Sequence, residues 1–345
     1  MFNRIFVNMK RHFPATHVIL PSSCEGRRAA FYLAVEEYVA EELPADSYFF
    51  TWQIGPTVVM GRNQVAHQEV NLDFCRKEGI DVIRRRSGGG AIFADERNIM
   101  TSLITEDSPV ESLFQEYAEA VADTLRKLGA PALVSGRNDI IIKSKAEETG
   151  NKVCGNAFYK KANRCIAHGT MLYDTNPQLM EGALHPDINK LESKGVKSVR
   201  SRIGLLKDYL DFGVEELRKQ LQNMLCDHSV SLTTEDVRHI EELEQRYYLP
   251  DYLYGTSNHA DIIRKGRIEG VGTLEIRIQL NGSLIGNIEL NGDYFAIGDA
   301  QTALNDTLFG IPYTPEAVSK AIYKNHPESF IRGLSARDLL TILNN

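Results

Sequence analysis

The 345-residue sequence lacks the features that mark membrane proteins and nonspecific nucleic-acid binders. It contains no apolar run near the roughly 18 residues that a membrane-spanning helix needs. Its formal net charge of −7 leaves it without the basic excess that is usual in a nonspecific nucleic-acid-binding domain. We therefore expect a globular protein with neither a membrane nor a nucleic acid as its partner, in which any basic pocket is local.

Cysteine is scarce as well, with five residues, an odd number, and no two of them in a CxxC spacing. This usage argues against a disulfide framework and against a zinc site, and it favours a reducing, cytoplasmic setting. The five residues are Cys24, Cys75, Cys154, Cys165 and Cys226.

The beginning of the chain lacks acidic residues, since no Asp or Glu occurs in residues 1–16. Transit peptides have this bias, but the segment is short and poor in serine, so we interpret it as a disordered extension. The chain length favours two domains. A segment at 247–265, rich in tyrosine and without a regular pattern, predicts a connection between a domain at 1–252 and a second domain at 260–345.

Hydrophobic periodicity predicts both helices and strands. Residues 26–43 fit an amphipathic helix, and further helical patterns cover 110–128, 214–225 and the residues that follow a capping-box-like Thr233. Near the end of the chain, Asn281-Gly282 lies between two alternating segments and predicts a hairpin with a type I′ turn. Helices are expected to start at Thr314-Pro315 and near Ser335. Strand patterns cover residues 48–54, 57–60, 81–85, 91–93, 98–104, 139–142, 152–158 and 165–173.

Between two of these strand patterns lies RRRSGGGAIF, residues 84–93, in which three arginines and a serine precede three glycines. Glycines let the backbone approach a ligand closely, and successive N–H groups in such a loop form an anion-binding concavity. Arginines beside it add charge-assisted hydrogen bonds. The spacing fits neither the P-loop nor GxGxxG, so the segment predicts a phosphate or carboxylate site of another kind.

Three further segments place polar residues where a strand meets a loop: GRNDIII from Gly136, GNKVCGNAF from Gly150 and AHGTMLYD from Ala167. Taken singly, Asn138 and Asp139 could be turn residues, Lys152 a solvated lysine and His168 a structural histidine. Site residues are nevertheless common at such positions.

Together, the order RRxSGGGAxF, GRNDI, KVxGNAF and HGTxL resembles that of lipoate–protein ligases, and Trp52 and the GRNQ at residues 61–64 fit the same pattern. The resemblance runs from about residue 18 to the end of the chain. It implies an α+β fold: a biotin/lipoate ligase-like catalytic domain with mixed and antiparallel sheets, followed by a small α+β accessory domain.

The resemblance also implies the chemistry. Such ligases use Mg²⁺, ATP and lipoate to make lipoyl-AMP with release of pyrophosphate. They then transfer the lipoyl group to one lysine of apo lipoyl domains in 2-oxoacid dehydrogenase E2 subunits and in glycine cleavage H protein. A hydrophobic slot for an eight-carbon chain would discriminate only modestly between lipoate and octanoate.

By motif match, Lys152 is the catalytic residue and contacts both the lipoyl carboxyl group and the α-phosphate. The residues implied for ATP and the adenylate are Arg85, Gly90, Ala91, Ile92, Phe93, Asn138, Asp139 and Lys152, with Asp139 also a candidate Mg²⁺ ligand. The residues implied for lipoate are Trp52, Ser87, Gly89, Lys152 and His168.

Two other functions stay open at this point. Related octanoyl- and lipoyl-transferases use a nucleophilic cysteine and no ATP, and Cys154 lies two residues from Lys152, on the same face if the strand alternates regularly. A lipoate- or nucleotide-binding module without turnover is the third possibility. A basic stretch could attract an acidic lipoyl domain or be a solvated face; its residues are Lys190, Lys194, Lys197, Arg200 and Arg202.

Overall fold

The computed structural model describes residues 15–136, 138–143, 150–185, 203–255 and 260–344. The predicted extension lies almost wholly outside these ranges, and so does the basic stretch from Lys190 to Arg202. The strands are β1 (Ala15–Ile19), β2 (Tyr48–Trp52), β3 (Thr57–Met60), β4 (Asp81–Arg84), β5 (Ile92–Ala94), β6 (Asn98–Glu106), β7 (Ala132–Ser135), β8 (Asp139–Ile142), β9 (Asn151–Lys161), β10 (Arg164–Leu172), β11 (Cys226–Ser231), β12 (Ile262–Ile268), β13 (Gly272–Asn281) and β14 (Leu284–Gly292).

Helices cover both faces of the large sheet, and further helices belong to a separate unit near the end of the chain. They are α1 (Ala29–Glu42), α2 (Ala66–Glu69), α3 (Leu72–Glu78), α4 (Val110–Lys127), α5 (Pro177–Ala183), α6 (Val214–Leu225), α7 (Thr234–Glu244), α8 (Pro250–Tyr254), α9 (Ala300–Leu308), α10 (Pro315–Asn325) and α11 (Ala336–Asn344). Short helix α8 and the first four residues of strand β12 fall within the segment 247–265, where the sequence had predicted no regular structure, so that expectation was wrong for these residues.

The described strands form three sheets. The largest has eight strands in the order β11-β1-β2-β6-β10-β9-β8-β7, in which β1 runs parallel to both its neighbours and the remaining pairs are antiparallel. A three-stranded sheet, β4-β3-β5, carries the glycine loop, and a second three-stranded sheet, β12-β13-β14, is antiparallel. The architecture confirms the predicted α+β class.

Helix α1 corrects the predicted amphipathic pattern, because every residue from Ala29 to Ala40 is buried. One side of α1 packs on the large sheet, and α7 packs against α1 from elsewhere in the chain. The buried set includes the carboxylates of Glu36 and Glu37, which are 0% exposed. Since a buried charge requires partners, these two residues identify the polar centre of the fold.

Helices α4 and α6 cover the opposite face of the large sheet. Their apolar residues, spaced three and four apart as predicted, join one core with inward residues of β6, β8, β9 and β10. The large sheet therefore has an α1 face and an α4 face, and a side chain on a central strand points to one or the other.

The unit formed by β12–β14 and α9–α11 has a core of its own. Its hairpin is confirmed, but the turn is not type I′, because Asn281 pairs with Leu284 and of the intervening residues only Gly282 has a positive φ, +66°. Glycine at the first central position fits a type II′ turn. Thr314 and Ser335 cap α10 and the start of α11 as predicted.

Candidate active site

The glycine loop crosses the end of β3, because β4 enters it and β5 leaves it, and both strands pair with β3. Gly89 adopts a φ of +86°, which favours glycine. A side chain at Gly61 would collide with the carbonyl oxygen of Gly89, so the GRNQ segment and the glycine loop lie in direct contact. The two motifs, some 25 residues apart, form one backbone surface.

Arg84 holds this surface to the rest of the fold. Its Nη1 donates to the carbonyl oxygens of Gly61, Arg62 and Gln64, at 3.0, 2.9 and 2.7 Å. Its Nε and Nη2 donate to Leu253 O at 3.0 and 2.8 Å. Arg84 thus ties the GRNQ segment to α8.

Arg85 is buried beneath the glycine loop and is hydrogen-bonded to it. Its guanidinium donates to the carbonyl oxygens of Val59, Gly88 and Gly90, at 2.9, 2.7 and 2.8 Å, and to Ser87 Oγ at 2.9 Å. Burial, and secondarily the charge of Arg84, lowers the pKa of Arg85 to about 10. Its predicted contact with the nucleotide stays a prediction, and the observed donors serve the loop.

Arg84 and Arg85 are both buried, and neither has a carboxylate within ion-pair distance in the described ranges. Their hydrogen-bond partners are carbonyl oxygens and, for Arg85, the hydroxyl of Ser87, and these neutral dipoles solvate a cation without cancelling its charge. Arg86, the third arginine, instead pairs with Glu37 at 2.7 Å between Nε and Oε2. The loop therefore has two uncompensated buried cations beside it and suits an anionic ligand.

Ser87 begins a buried chain of hydrogen bonds. Its Oγ lies 2.7 Å from His168 Nε2, and His168 Nδ1 lies 3.0 Å from both carboxylate oxygens of Glu36. Ser87 Oγ also accepts from Arg85 Nε, so Arg85, Ser87, His168 and Glu36 form one continuous buried chain of hydrogen bonds.

Trp52 joins the same carboxylate through Ser102. Trp52 Nε1 donates to Ser102 Oγ at 3.0 Å, and Ser102 donates to Glu36 Oε1 at 2.6 Å. The indole ring also stacks on Tyr32, with 5.0 Å between ring centroids. The structure thus brings Trp52, Ser87 and His168, all predicted for lipoate, around Glu36, which sequence reasoning missed. Two adjacent glutamates in the middle of the otherwise apolar run from Ala29 to Ala40 were the available signal.

Lys152 and Asp139 form an ion pair, with Nζ 2.7 Å from Oδ1. Asn138 lies beside them and exchanges amide hydrogen bonds with Asn156: its Nδ2 donates to Asn156 O at 2.9 Å, and Asn156 Nδ2 donates to Asn138 O at 3.2 Å. This pair of asparagines fixes the turn ahead of β8 against β9. The predicted Asn138, Asp139 and Lys152 therefore form one cluster.

A bulge in β9 determines which way Lys152 points. Ile140 pairs with Cys154 but Ile141 pairs with Lys152, so Val153 is an extra residue in β9. The Lys152 ammonium lies over Gly155, which is adjacent to Cys154 and so faces the other side of the sheet. The expectation that Lys152 and Cys154 share a face was therefore wrong, because the bulge interrupts the alternation.

The ammonium shares the α1 face with His168. His168 is paired with Ala157, and Gly155 with Thr170, in the antiparallel β9–β10 ladder. Directly paired residues lie on one face, and Gly155 and Ala157 are two apart, so Lys152 and His168 lie on the same face of neighbouring strands. The Lys152 cluster and the Ser87–His168–Glu36 chain are thus parts of one site.

Cys154 lies on the α4 face in the core, where its Sγ donates to Asn156 Oδ1 at 3.3 Å. Burial raises the pKa of this thiol to about 12. At neutral pH the thiol is protonated, and the ammonium of Lys152 is on the other face of the sheet. This environment does not suit a nucleophilic cysteine.

Residues from the C-terminal unit contact the glycine loop. The N–H of Gly89 donates to Tyr294 O at 3.1 Å, and the ring of Phe295 lies against Gly89 and stacks on Phe158 at 5.3 Å between centroids. Gly90 and Ala91 complete the loop, and Ile92 and Phe93 start β5. In this arrangement the C-terminal unit occupies one backbone donor of the loop.

The predicted Mg²⁺ site has only a partial protein ligand set. No three His, Cys, Asp or Glu side chains converge on a possible metal position in the described ranges. Mg²⁺ is often held by one or two carboxylates together with substrate phosphates. Asp139, already paired with Lys152, fits that mode, in which the ion would arrive with the nucleotide.

Comparisons with known proteins show to which family the chain belongs. The model of the lipoyl protein ligase A/B catalytic domain matches residues 28–226, and that of the bacterial lipoate protein ligase C-terminus matches residues 257–343. The chain is 30% identical over 321 residues to lipoate–protein ligase 1 of Staphylococcus aureus, covering 90% of this chain and 95% of the relative. The chain belongs to the lipoate–protein ligase family. The resemblance seen in the motifs is thereby confirmed, including the long form with the C-terminal region.

Solved structures share the fold of this family member. Plasmodium falciparum LipL1, solved in complex with lipoate, superposes with a TM-score of 0.76 at 19% identity, covering 96% of this chain and all of that one. A lipoate–protein ligase A solved bound with ATP gives a TM-score of 0.58 at 22% identity, covering 70% of this chain and 99% of the other. None of the helices in the described ranges is long and apolar enough to cross a bilayer.

Proposed function

We propose that this ligase-family chain activates lipoate with ATP and then transfers the lipoyl group to a lysine of an acceptor protein. The observation that carries the proposal is the position of the Lys152 ammonium. It lies 2.7 Å from Asp139 and on the same sheet face as the buried Ser87–His168–Glu36 chain. A cation at this point can meet both anions of an adenylation reaction.

In the first step, a lipoate carboxylate oxygen attacks the α-phosphorus of ATP, and pyrophosphate leaves. Two anions must approach each other, so fixed positive charge at their meeting point lowers the barrier. Lys152 supplies that charge, and the uncompensated Arg84 and Arg85 make the neighbouring loop attractive to phosphate.

In the second step, the ε-amine of an acceptor lysine attacks the acyl carbon, AMP leaves, and the amine loses a proton to solvent. Negative charge develops on the acyl oxygen and is stabilised by the same Lys152 ammonium. One cation thus serves both half-reactions, which agrees with its role in the motif.

We place the acyl chain on the α1 face, where Trp52, Ser87 and His168 surround Glu36, with Gly89 in the adjoining glycine loop. Burial there contributes roughly 0.8 kcal/mol for each methylene removed from water. The adenylate is placed along Gly90–Phe93 and the Asn138–Asp139 turn. Mg²⁺, which neutralises phosphate charge when bound, would be held by the phosphates and Asp139.

The acceptors follow from the family resemblance. Lipoate ligases act on lipoyl domains, so we assign apo lipoyl domains of 2-oxoacid dehydrogenase E2 subunits and glycine cleavage H protein as partners. A cytoplasmic location, where such acceptors occur, stays a prediction from the cysteine usage.

Lipoate-dependent pyrophosphate release tests the proposal. Purified chain with Mg²⁺ and ATP should release pyrophosphate only when lipoate is added. A cysteine transferase or a binding module without turnover would release none. Omission of ATP is the matched control, since a transferase would still move an octanoyl group from a carrier protein in its absence.

A further inference from the structure

Gly155 lies directly in the path of the Lys152 side chain. A Cβ built on Gly155 would lie 2.5 Å from Lys152 Nζ and 2.7 Å from Lys152 Cε. The described residues offer no other atom within 4 Å of that Cβ. Because Gly155 has no side chain, an open space remains above its Cα on β9, which we call the channel. The Lys152 side chain occupies this channel.

Neither the backbone nor the packing requires glycine at this position. Gly155 is not among the glycines with positive φ, so any residue could adopt its conformation. Gly169 in the adjacent strand differs, because a Cβ there would meet Asn156, Thr101 and Cys154. Since glycine within a strand is less stable than alanine, Gly155 costs stability without a folding reason.

The channel leads to Asp139. Gly155 is paired with Asp139 in the β8–β9 ladder, and the bulge at Val153 turns Lys152 onto the face of Gly155. Lys152 then crosses Gly155 and reaches Oδ1 of Asp139 at 2.7 Å. The bulge at Val153 directs the Lys152 side chain to this face of the sheet, and Gly155 leaves room for it there.

We propose that Gly155 is a positioning residue for Lys152 in the ligase reaction. It touches no reacting atom; it fixes the ammonium on the His168 face by leaving the channel open. A methyl group at residue 155 would push the ammonium away from Asp139. This inference rests on the proposed function for its effect on activity, but the position of Lys152 can be tested separately.

The first test compares Gly155→Ala with Gly286→Ala, a matched control in β14, where a Cβ would meet only ordinary contacts of 3.5–3.6 Å. Both variants should unfold thermally at or above the wild-type temperature. Gly155→Ala should lower kcat for lipoate-dependent pyrophosphate release by about 100-fold, the scale of a misplaced catalytic group. Normal kcat, or a clearly lowered unfolding temperature for Gly155→Ala, would overturn the proposal.

The second test asks whether Gly155 acts through Lys152. Calorimetric affinity for a non-hydrolysable lipoyl-adenylate analogue is measured for Gly155→Ala, for Lys152→Ala and for the double variant. The double variant should bind no more weakly than Lys152→Ala alone. Equal losses from Gly155→Ala in both backgrounds would show an effect independent of the lysine and reject the positioning role.

The third test needs no ligand. The rate at which an amine-acylating reagent modifies Lys152, followed by peptide mass spectrometry, should rise several-fold in Gly155→Ala and stay unchanged in Gly286→Ala. An unchanged rate at Lys152 would contradict the proposal. If the wild type released no pyrophosphate, the proposed function would fail, while this labelling result would still decide the role of Gly155.

Discussion

At the scale of single residues, the site depends on where charge is compensated and where it is not. Glu36 and Glu37 are fully buried, and Glu37 has ion-pair partners, whereas Arg84 and Arg85 are buried against neutral oxygens and have no carboxylate within ion-pair distance among the described residues. Lys152 has a carboxylate partner in Asp139 but keeps some contact with solvent. Positive charge therefore faces the region where the anions of the proposed reaction would meet.

Lys152→Ala should nearly abolish lipoate-dependent pyrophosphate release, with a fall of at least about 100-fold, since it removes the cation between carboxylate and phosphate. The fold should survive, because the side chain lies over Gly155 outside the core. Lys160→Ala is the matched control, as Lys160 is on the same strand and pairs with Asp107 at an exposed position. Near-normal release from a folded Lys152→Ala protein would remove the lysine from the mechanism.

Cys154 should be inert. With its pKa raised to about 12 by burial, the thiol of Cys154 is overwhelmingly protonated at pH 8. Alkylation by iodoacetamide at pH 8 should therefore be slow at Cys154 in the native protein, and Cys154→Ser should keep most ATP-dependent ligation. An octanoyl adduct on Cys154 that disappears in the serine variant would contradict this prediction.

At the scale of elements, α1 anchors the site by placing two carboxylates beneath it. Glu37 accepts from Tyr247 at 2.5 Å and pairs with Arg86, Lys161 and Arg246, at 2.7, 3.3 and 3.5 Å. One buried carboxylate thus joins α1 to the glycine loop, to β9 and to the segment after α7.

Glu37→Ala should lower the free energy of unfolding by about 3 kcal/mol, because it leaves partly buried cations without their counter-charge. Urea denaturation measures the loss. The control is Glu41→Ala at the end of α1, which removes a half-exposed partner of Lys161 and should change stability by less than about 1 kcal/mol. Equal effects of the two variants would show that Glu37 does not anchor the helix.

The elements also show what the sequence could and could not predict. Helices α4 and α6 and the strands of the site follow from local periodicity, and their bounds agree to within a few residues. Burial of α1 on all sides could not be predicted, because its outer cover is α7, some 200 residues later in the chain. Nor do single strands reveal sheet membership: β2 and β3, neighbours in sequence, belong to different sheets.

The site was predictable as a set of residues and not as a set of contacts. The motifs named Trp52, Ser87, Lys152 and His168, but Glu36, which links three of them, lies outside every motif. The face of the sheet to which the Lys152 side chain points depends on a bulge in β9. This bulge can be recognised only from the pairing of β8 with β9. Regular alternation of side chains along β9 alone therefore predicts the wrong face for Lys152.

At the scale of the whole molecule, the C-terminal unit lies against the glycine loop. The carbonyl oxygen of Tyr294 accepts a hydrogen bond from the N–H of Gly89 at 3.1 Å. The N–H of Gly292 donates to the carbonyl oxygen of Asn63, in the GRNQ segment, at 2.7 Å. The backbone donor of Gly89 cannot serve a phosphate while this contact holds. We therefore predict that nucleotide binding at this loop competes with the contact made by the C-terminal unit.

Phe295→Ala should strengthen ATP binding several-fold, because loss of its contacts with Gly89 and Phe158 disfavours the arrangement that occupies the loop. Calorimetric titration with a non-hydrolysable ATP analogue measures the change. Phe330→Ala provides the control, since Phe330 is in the same unit but packs against Gly298. Unchanged or weaker binding by Phe295→Ala would show that the contact does not compete with the nucleotide.

The most direct test of the account is intact mass spectrometry of an apo lipoyl domain from a 2-oxoacid dehydrogenase E2 subunit. The domain is incubated with the wild-type chain, Mg²⁺, ATP and free lipoate. The account predicts a mass gain of one lipoyl group on the acceptor lysine, absent without ATP and absent with Lys152→Ala. No mass gain under the complete conditions, or octanoyl transfer from a carrier protein without ATP and through Cys154, would contradict it.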